Sequence, residues 1–143
     1  MPGKNIGLRS EAPVDSALIG AFMDSLRDTI SVTSVVVFGS RATGDNLEDS
    51  DYDILMLSPD FKHYDRVERI QLLLESWPGT VALEPVAMTP EEFGEAEGAL
   101  VWDILEDGLV IREDGVFERK RLLFLDRIES GKLEKGDGFW SFS

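Results

Sequence analysis

The chain has 143 residues, no cysteine, and 28 acidic against 14 basic residues, for a formal net charge of −14. That length suffices for one domain with a sizeable core, while the missing cysteines exclude disulfides, thiol catalysis and zinc–thiolate sites and make a cytoplasmic home the default expectation. No apolar run is long enough to span a bilayer and no charged-then-apolar leader opens the chain, so no membrane role is expected. A surface this acidic repels nucleic-acid phosphates, which makes nucleic acid an unlikely partner. Cationic small molecules or a basic protein fit better, unless the charge serves only solubility or a salty cytoplasm.

Met1 to Pro13 mixes Gly, Pro and charge without a period and reads as a loose lead-in. From Asp15 a helical pattern begins, with Leu18, Phe22, Leu26 and Ile30 recurring every four residues, supported by Ile19 and Met23. Asp15 or Ser16 can cap its start.

The informative stretch is Val35 to Leu57. The apolar run Val35 to Phe38 stops at Gly39-Ser40, a polar loop carries Arg41 and Gly44, and a second run, Ile54 to Leu57, begins just after Asp51 and Asp53. Both runs are short, apolar and bounded by turn formers, the pattern of buried strands. Side chains alternate along a strand, so Asp51 and Asp53 share a face with Tyr52 opposite. Two carboxylates roughly 6.5 Å apart on one face repel each other unless a cation sits between them. Mg²⁺ is the natural candidate, since it takes hard oxygen ligands and is commonly shared between carboxylates and substrate phosphates. Gly39 lets a phosphate approach the backbone, and Ser40 offers a hydroxyl and an N–H where a helix begins. A phosphate cradle beside metal-binding carboxylates is the equipment of phosphoryl transfer. Gly44 reads most simply as a turn residue.

Ser58-Pro59-Asp60 ends the second strand and opens another helix, with Val67, Ile70, Leu74 and Trp77 as its buried stripe and Pro78-Gly79 as its stop. His63, the lone histidine, falls in a polar first turn and reads as surface. A third strand, Val81 to Met88, places Ala82, Glu84, Val86 and Met88 on one face, and Pro85 argues for an edge position or a bulge. Thr89-Pro90-Glu91-Glu92 is a capping box with Pro at the first helical position, so Glu91 and Glu92 belong to the cap rather than to a site. The helix it opens carries Phe93, Leu100 and Ile104 and ends near Gly108. Leu109 to Ile111 is a last short strand, Asp114-Gly115 a turn, and Val116 to Ile128 a final helix with Phe117, Phe124, Leu125 and Ile128 apolar. The tail from Gly131, with Trp140 and Phe142, lacks a helical or strand period and is expected to be mobile unless it docks. Phe117, Phe124, Trp140 and Phe142 read as core or as anchors of an interface. Strands interleaved with helices give a single α/β domain, a mixed β-sheet with flanking helices.

Gly39-Ser40, ten residues, then Asp51-Tyr52-Asp53 resembles the signature of the polymerase-β-type nucleotidyltransferases, in the form seen in minimal nucleotidyltransferases. The similarity covers about Ala17 to Glu113. It implies a nucleotidyltransferase palm in which Asp51 and Asp53 hold two Mg²⁺ ions. Glu84, the third carboxylate, where the family more commonly has Asp, holds only the metal that activates the acceptor hydroxyl or acts as its base. It also implies that Gly39 and Ser40 hold the triphosphate and that Arg41 neutralises departing pyrophosphate. In this family such small proteins are often paired as antitoxin with a HEPN-type toxin, whose tyrosine they adenylylate from ATP. That resemblance sets the expectation of AMP transfer to a partner protein, with a possible homo-oligomer. Two alternatives stand beside it: transfer to a small polycation such as an aminoglycoside, and a non-catalytic partner-binding module.

Overall fold

A computed structural model of the chain describes residues 14–47, 49–136 and 140–142, so the lead-in Met1–Pro13 lies outside the described residues. The elements run α1 (Ser16–Leu26), β1 (Ser34–Phe38), α2 (Ser40–Thr43) and β2 (Tyr52–Leu57). A 3-10 turn (Pro59–His63), α3 (Arg66–Ser76) and β3 (Leu83–Met88) follow. The chain continues through α4 (Pro90–Glu95), α5 (Ala99–Asp107), β4 (Leu109–Arg112) and α6 (Val116–Glu129) to a hairpin of β5 (Leu133–Lys135) and β6 (Trp140–Phe142). Four strands form one sheet in the order β3-β2-β1-β4. β1 is antiparallel to both β2 and β4, and β2 is parallel to β3. This mixed sheet with flanking helices is the α/β arrangement the sequence predicts.

The central strands are apolar on both faces because both faces are covered. Val35, Val37, Ile54 and Met56 pack with Ile19, Phe22, Leu26 and Leu73 of α1 and α3. Val36, Phe38, Leu55 and Leu57 pack instead with Phe93, Val101, Ile104 and Phe117 of α4, α5 and α6. Asp15 caps α1 as expected, its carboxylate accepting from the N–H groups of Ala17 and Leu18. β3 sits at the sheet edge, where the missing N–H of Pro85 leaves no ladder bond unmade on an inner strand. The capping box at Thr89 and Glu92 is also formed.

Helix α3 keeps only part of the predicted stripe inward. Trp77 at its end packs on Phe22 and Tyr52 as expected, but the rest of the helix presents a different face. Leu73 is its buried residue, while Val67 and Leu74 are 71% and 47% exposed. The reason is Arg69, whose guanidinium donates to the carbonyls of Phe61 and Tyr64, both at 3.0 Å, and pairs with Glu92 at 2.7 Å. These bonds fix the helix rotation about a polar residue that an apolar-stripe reading passes over. The helix predicted from Thr89 to Gly108 is two helices, broken at Ala96–Gly98, where Gly98 adopts φ 118°. Lys120 explains the break, since its ammonium takes the carbonyls of Gly94 and Ala96 at 3.1 and 2.9 Å. Phe93 and Ile104 are buried as expected, whereas Leu100 is 50% exposed.

The tail docks. Trp140 lies 6.0 Å from the Trp102 ring and 5.6 Å from that of Phe124, and its indole N–H donates to Asp103 at 2.9 Å. Phe117 and Phe124 are core residues, which removes them as exposed anchors, and the outer face of α6 carries Leu122, Leu123 and Leu125 instead. Leu73→Ala is expected to lose about 2–5 kcal/mol in urea unfolding, while Val67→Ala changes stability by under about 0.5 kcal/mol. The reverse ranking would restore the predicted stripe.

Candidate active site

Three strand ends meet at one corner of the sheet. The β1–β2 register sets Phe38 opposite Asp53, and the β2–β3 register sets Asp53 beside Glu84. Asp51 lies two residues before Asp53, immediately ahead of β2, so the three acidic positions singled out in the sequence are brought together beside Gly39-Ser40. Asp53 is half-buried, whereas Asp51 and Glu84 are exposed.

Gly39 turns the chain from β1 into α2 with φ 73° and ψ −154°, a region that side chains avoid. A Cβ built there would stand 2.2 Å from Oδ2 of Asp53. The glycine therefore permits a close backbone approach, and the group that approaches is the Asp53 carboxylate. Ser40 opens the four-residue helix α2, and Gly44 closes it at φ 82°, the turn the sequence predicts.

Arg41 is only 4% exposed. Its Nε and Nη2 donate to the Ser50 carbonyl at 3.1 and 2.7 Å, and its guanidinium lies 4.0 Å over the Tyr52 ring. Tyr52 alternates with Asp53 along β2 and belongs to the core on the opposite sheet face. Arg41 thus braces the loop leading into Asp51 from beneath, and the Tyr52 hydroxyl in turn accepts from the Asp15 N–H at 3.1 Å. Nothing in the local sequence announces the Asp15–Tyr52 bond, which links residues 37 apart.

The crowding of carboxylates has a measurable consequence. Burial, the charge of Glu84, a hydrogen bond with Glu84 and the charge of Asp51 together push the Asp53 carboxyl from 3.8 up to about 6. Below about pH 6 a proton on Asp53 relieves this repulsion, and above it the repulsion is what a bound cation would relieve. Among the described residues no group of three or more acidic or histidine side chains stands in a ready metal-binding arrangement. The donor chemistry nonetheless suits a hard divalent cation, since all three groups are carboxylates and every cause acting on Asp53 raises its pKa. Beside Gly39 opens a cleft of about 410 Å³ lined by Phe38, Thr43, Asp103, Lys135 and Trp140, among others. The contributions of Asp103, Lys135 and Trp140 were invisible in the sequence, where the tail shows no period. His63 is exposed and plays no part here.

An antiparallel strand pair that delivers a Gly-Ser turn beside two aspartates, with a third carboxylate on the adjoining parallel strand, defines a nucleotidyl-transferring class of α/β protein. Consistent with that, the nucleotidyltransferase domain family matches residues 19–121, and the chain belongs to it. No curated protein matches the sequence. Solved structures show the fold. A toxin–antitoxin complex with AMP-PNP is 19% identical with a TM-score of 0.57, over 82% of this chain and 91% of that one. The toxin–antitoxin pair MntA-HepT is similar at 17% identity and TM-score 0.54, over 81% and 91%. A putative nucleotidyltransferase from Sulfolobus solfataricus is 20% identical with a TM-score of 0.51, over 74% and 90%.

Two stability changes follow from the site. A carboxyl whose pKa is raised in the fold contributes stability that is complete below its unfolded value and is lost as pH rises through its folded value. For Asp53 that window runs from 3.8 to about 6, so at pH 7 its charge weakens the fold. Asp53→Asn, whose amide can donate to Glu84, is expected to stabilise the protein at pH 7 by about 1 kcal/mol after solvent screening is discounted, a Tm rise of about 3 °C. The gain should vanish near pH 4, and an equal gain at both pH values would refute the charge explanation. Gly39→Ala is expected to lose at least about 2 kcal/mol at either pH, because it combines an unfavourable φ with the Asp53 clash.

Proposed function

We propose that the protein is a Mg²⁺-dependent nucleotidyltransferase that moves AMP from ATP onto a hydroxyl of a partner protein, as an antitoxin modifies a HEPN-type toxin. The observation that carries this reading is the meeting of Asp51, Asp53 and Glu84 beside the Gly39-Ser40 turn at one sheet corner. The toxin–antitoxin complexes among the similar folds support the choice of a protein acceptor, as does a net charge of −14, which disfavours nucleic acid and favours docking to a basic surface.

In this reading Gly39 and Ser40 receive the β- and γ-phosphates, with the turn allowing the chain to lie close to them. Asp51 and Asp53 would hold Mg²⁺, two ions in the full complement, with Glu84 a ligand to the one nearer the acceptor hydroxyl or the base for it; bound there, the ions would supply charge neutralisation and Lewis acidity at the phosphates. Glu84 is exposed and stands on the edge strand, open to an incoming acceptor. It takes the proton of the acceptor hydroxyl as that oxygen bonds to the α-phosphorus. The bond from the α-phosphorus to the bridging oxygen breaks, and pyrophosphate leaves with its electron pair. Arg41, braced against Ser50 and Tyr52, keeps the loop that presents Asp51 in place, and we assign it this positioning role beside the sequence expectation of a contact to pyrophosphate. The protein would work in the cytoplasm.

The test incubates the protein with labelled ATP, Mg²⁺ and its genomic neighbour, or with a panel of aminoglycosides, and locates the adduct by mass spectrometry. AMP on a partner side chain is the expected result. Label on an aminoglycoside alone would convert the reading to small-molecule transfer, for which the acidic surface is equally suited. Tight partner binding without label would indicate a non-catalytic module. Glu84→Gln should lower the transfer rate about 10²–10⁴-fold with little change in nucleotide affinity. Transfer at the wild-type rate would leave Glu84 as an ordinary edge-strand carboxylate.

A further inference from the structure

The exposed face of α6 is unlike that of an ordinary solvated helix. Leu122, Leu123 and Leu125 are 65%, 63% and 48% exposed, and they adjoin a groove of about 600 Å³ between α6 and the α4–α5 connection, lined in part by Trp102, Leu105, Leu123 and Phe124. Arg119 and Asp126 also line this groove, and among the described residues neither side chain has an ion-pair partner. The other cations of this region are engaged, Lys120 by the carbonyls of Gly94 and Ala96 and Arg127 by Glu97 at 3.0 Å.

The spacing of the two unpaired charges is what identifies an occupant. Residues 119 and 126 are about two helical turns apart, so they stand on the same edge of α6. When two copies of a helix pack antiparallel about a two-fold axis, each edge meets the same edge of its copy. The midpoint between positions 119 and 126 falls between Leu122 and Leu123. A two-fold axis there sets Arg119 of each copy against Asp126 of the other and closes the two leucine pairs between them. We propose that α6 is a self-complementary docking face and that two copies of this chain pair through it. The interface is isologous, as closed dimers require. Glu118 and Glu129 share the outer face, but the same axis sets Glu118 opposite Arg127 and Glu129 opposite Val116, so neither meets a like charge of the other copy. A second copy fits better than a basic partner here, because the free charges on this edge are one of each sign. The contact is small and is opposed by the net charge of −14, so a dissociation constant in the micromolar range is expected.

Sedimentation velocity of the full chain, without nucleotide, tests this by charge exchange. The wild type should pass from a 15.9 kDa monomer to a dimer as concentration rises. Arg119→Asp and Asp126→Arg should each weaken dimerisation at least tenfold by facing like charges across the axis, and the double exchange should restore it. Thermal melting of each variant separates loss of pairing from loss of folding. A wild type that stays monomeric up to about 1 mM, or a double exchange that fails to restore the dimer, overturns the proposal, and a leucine face covered by some other protein would give the first of these results. The site is independent: a dimer that fails to bind Mg-ATP would sink the nucleotide reading and leave this one standing.

Discussion

The contact on which the rest depends is between the backbone of Gly39 and the carboxylate of Asp53. The antiparallel pairing of β1 and β2 forces them together, because Phe38 is registered with Asp53 and the chain turns immediately afterwards. Only a residue without Cβ, at positive φ, leaves room for the carboxylate. The same contact fixes how closely the Gly39-Ser40 turn lies to the Asp53 carboxylate. Two-sided burial holds it rigid, since Val35, Val36 and Val37 are fully buried against helices on both faces of the sheet.

This arrangement stores charge repulsion. Asp53 gathers Glu84 and Asp51 around it and retains a proton up to about pH 6. Such crowding serves no structural end, as an apolar or amide residue would sit there with less strain, and it is the kind of local conflict that marks functional sites. The fold tolerates it because the strands beneath are so well packed.

In a chain with twice as many acidic as basic residues, several cations are turned inward to backbone carbonyls. Arg41 holds Ser50, Arg69 holds Phe61 and Tyr64, and Lys120 holds Gly94 and Ala96. Arg121 donates to Leu105 at 2.8 Å and to Gly108 at 2.6 Å. Each ties its side chain to the backbone at a turn or near a helix end. With these cations engaged inside, the remaining surface is more acidic still.

The four strands of the main sheet, the capping box at Thr89 and the site corner were legible because they rest on local rules. An apolar run stopped by Gly-Ser, an Asp-x-Asp at a strand start and a Pro on an edge strand each carry their meaning within a few residues. The α3 face, the break between α4 and α5 and the docking of Trp140 were not legible. Each is decided by one long-range bond from a side chain that hydropathy ignores: Arg69 to Glu92, Lys120 to Ala96, Trp140 to Asp103. The sequence by itself determined which carboxylates and which glycine turn are available. Only the tertiary structure decided that Arg41 braces the loop from beneath, because the β1–β2 pairing, not a local pattern, brings Ser50 and Tyr52 to it, and that the last helix faces outward with its leucines.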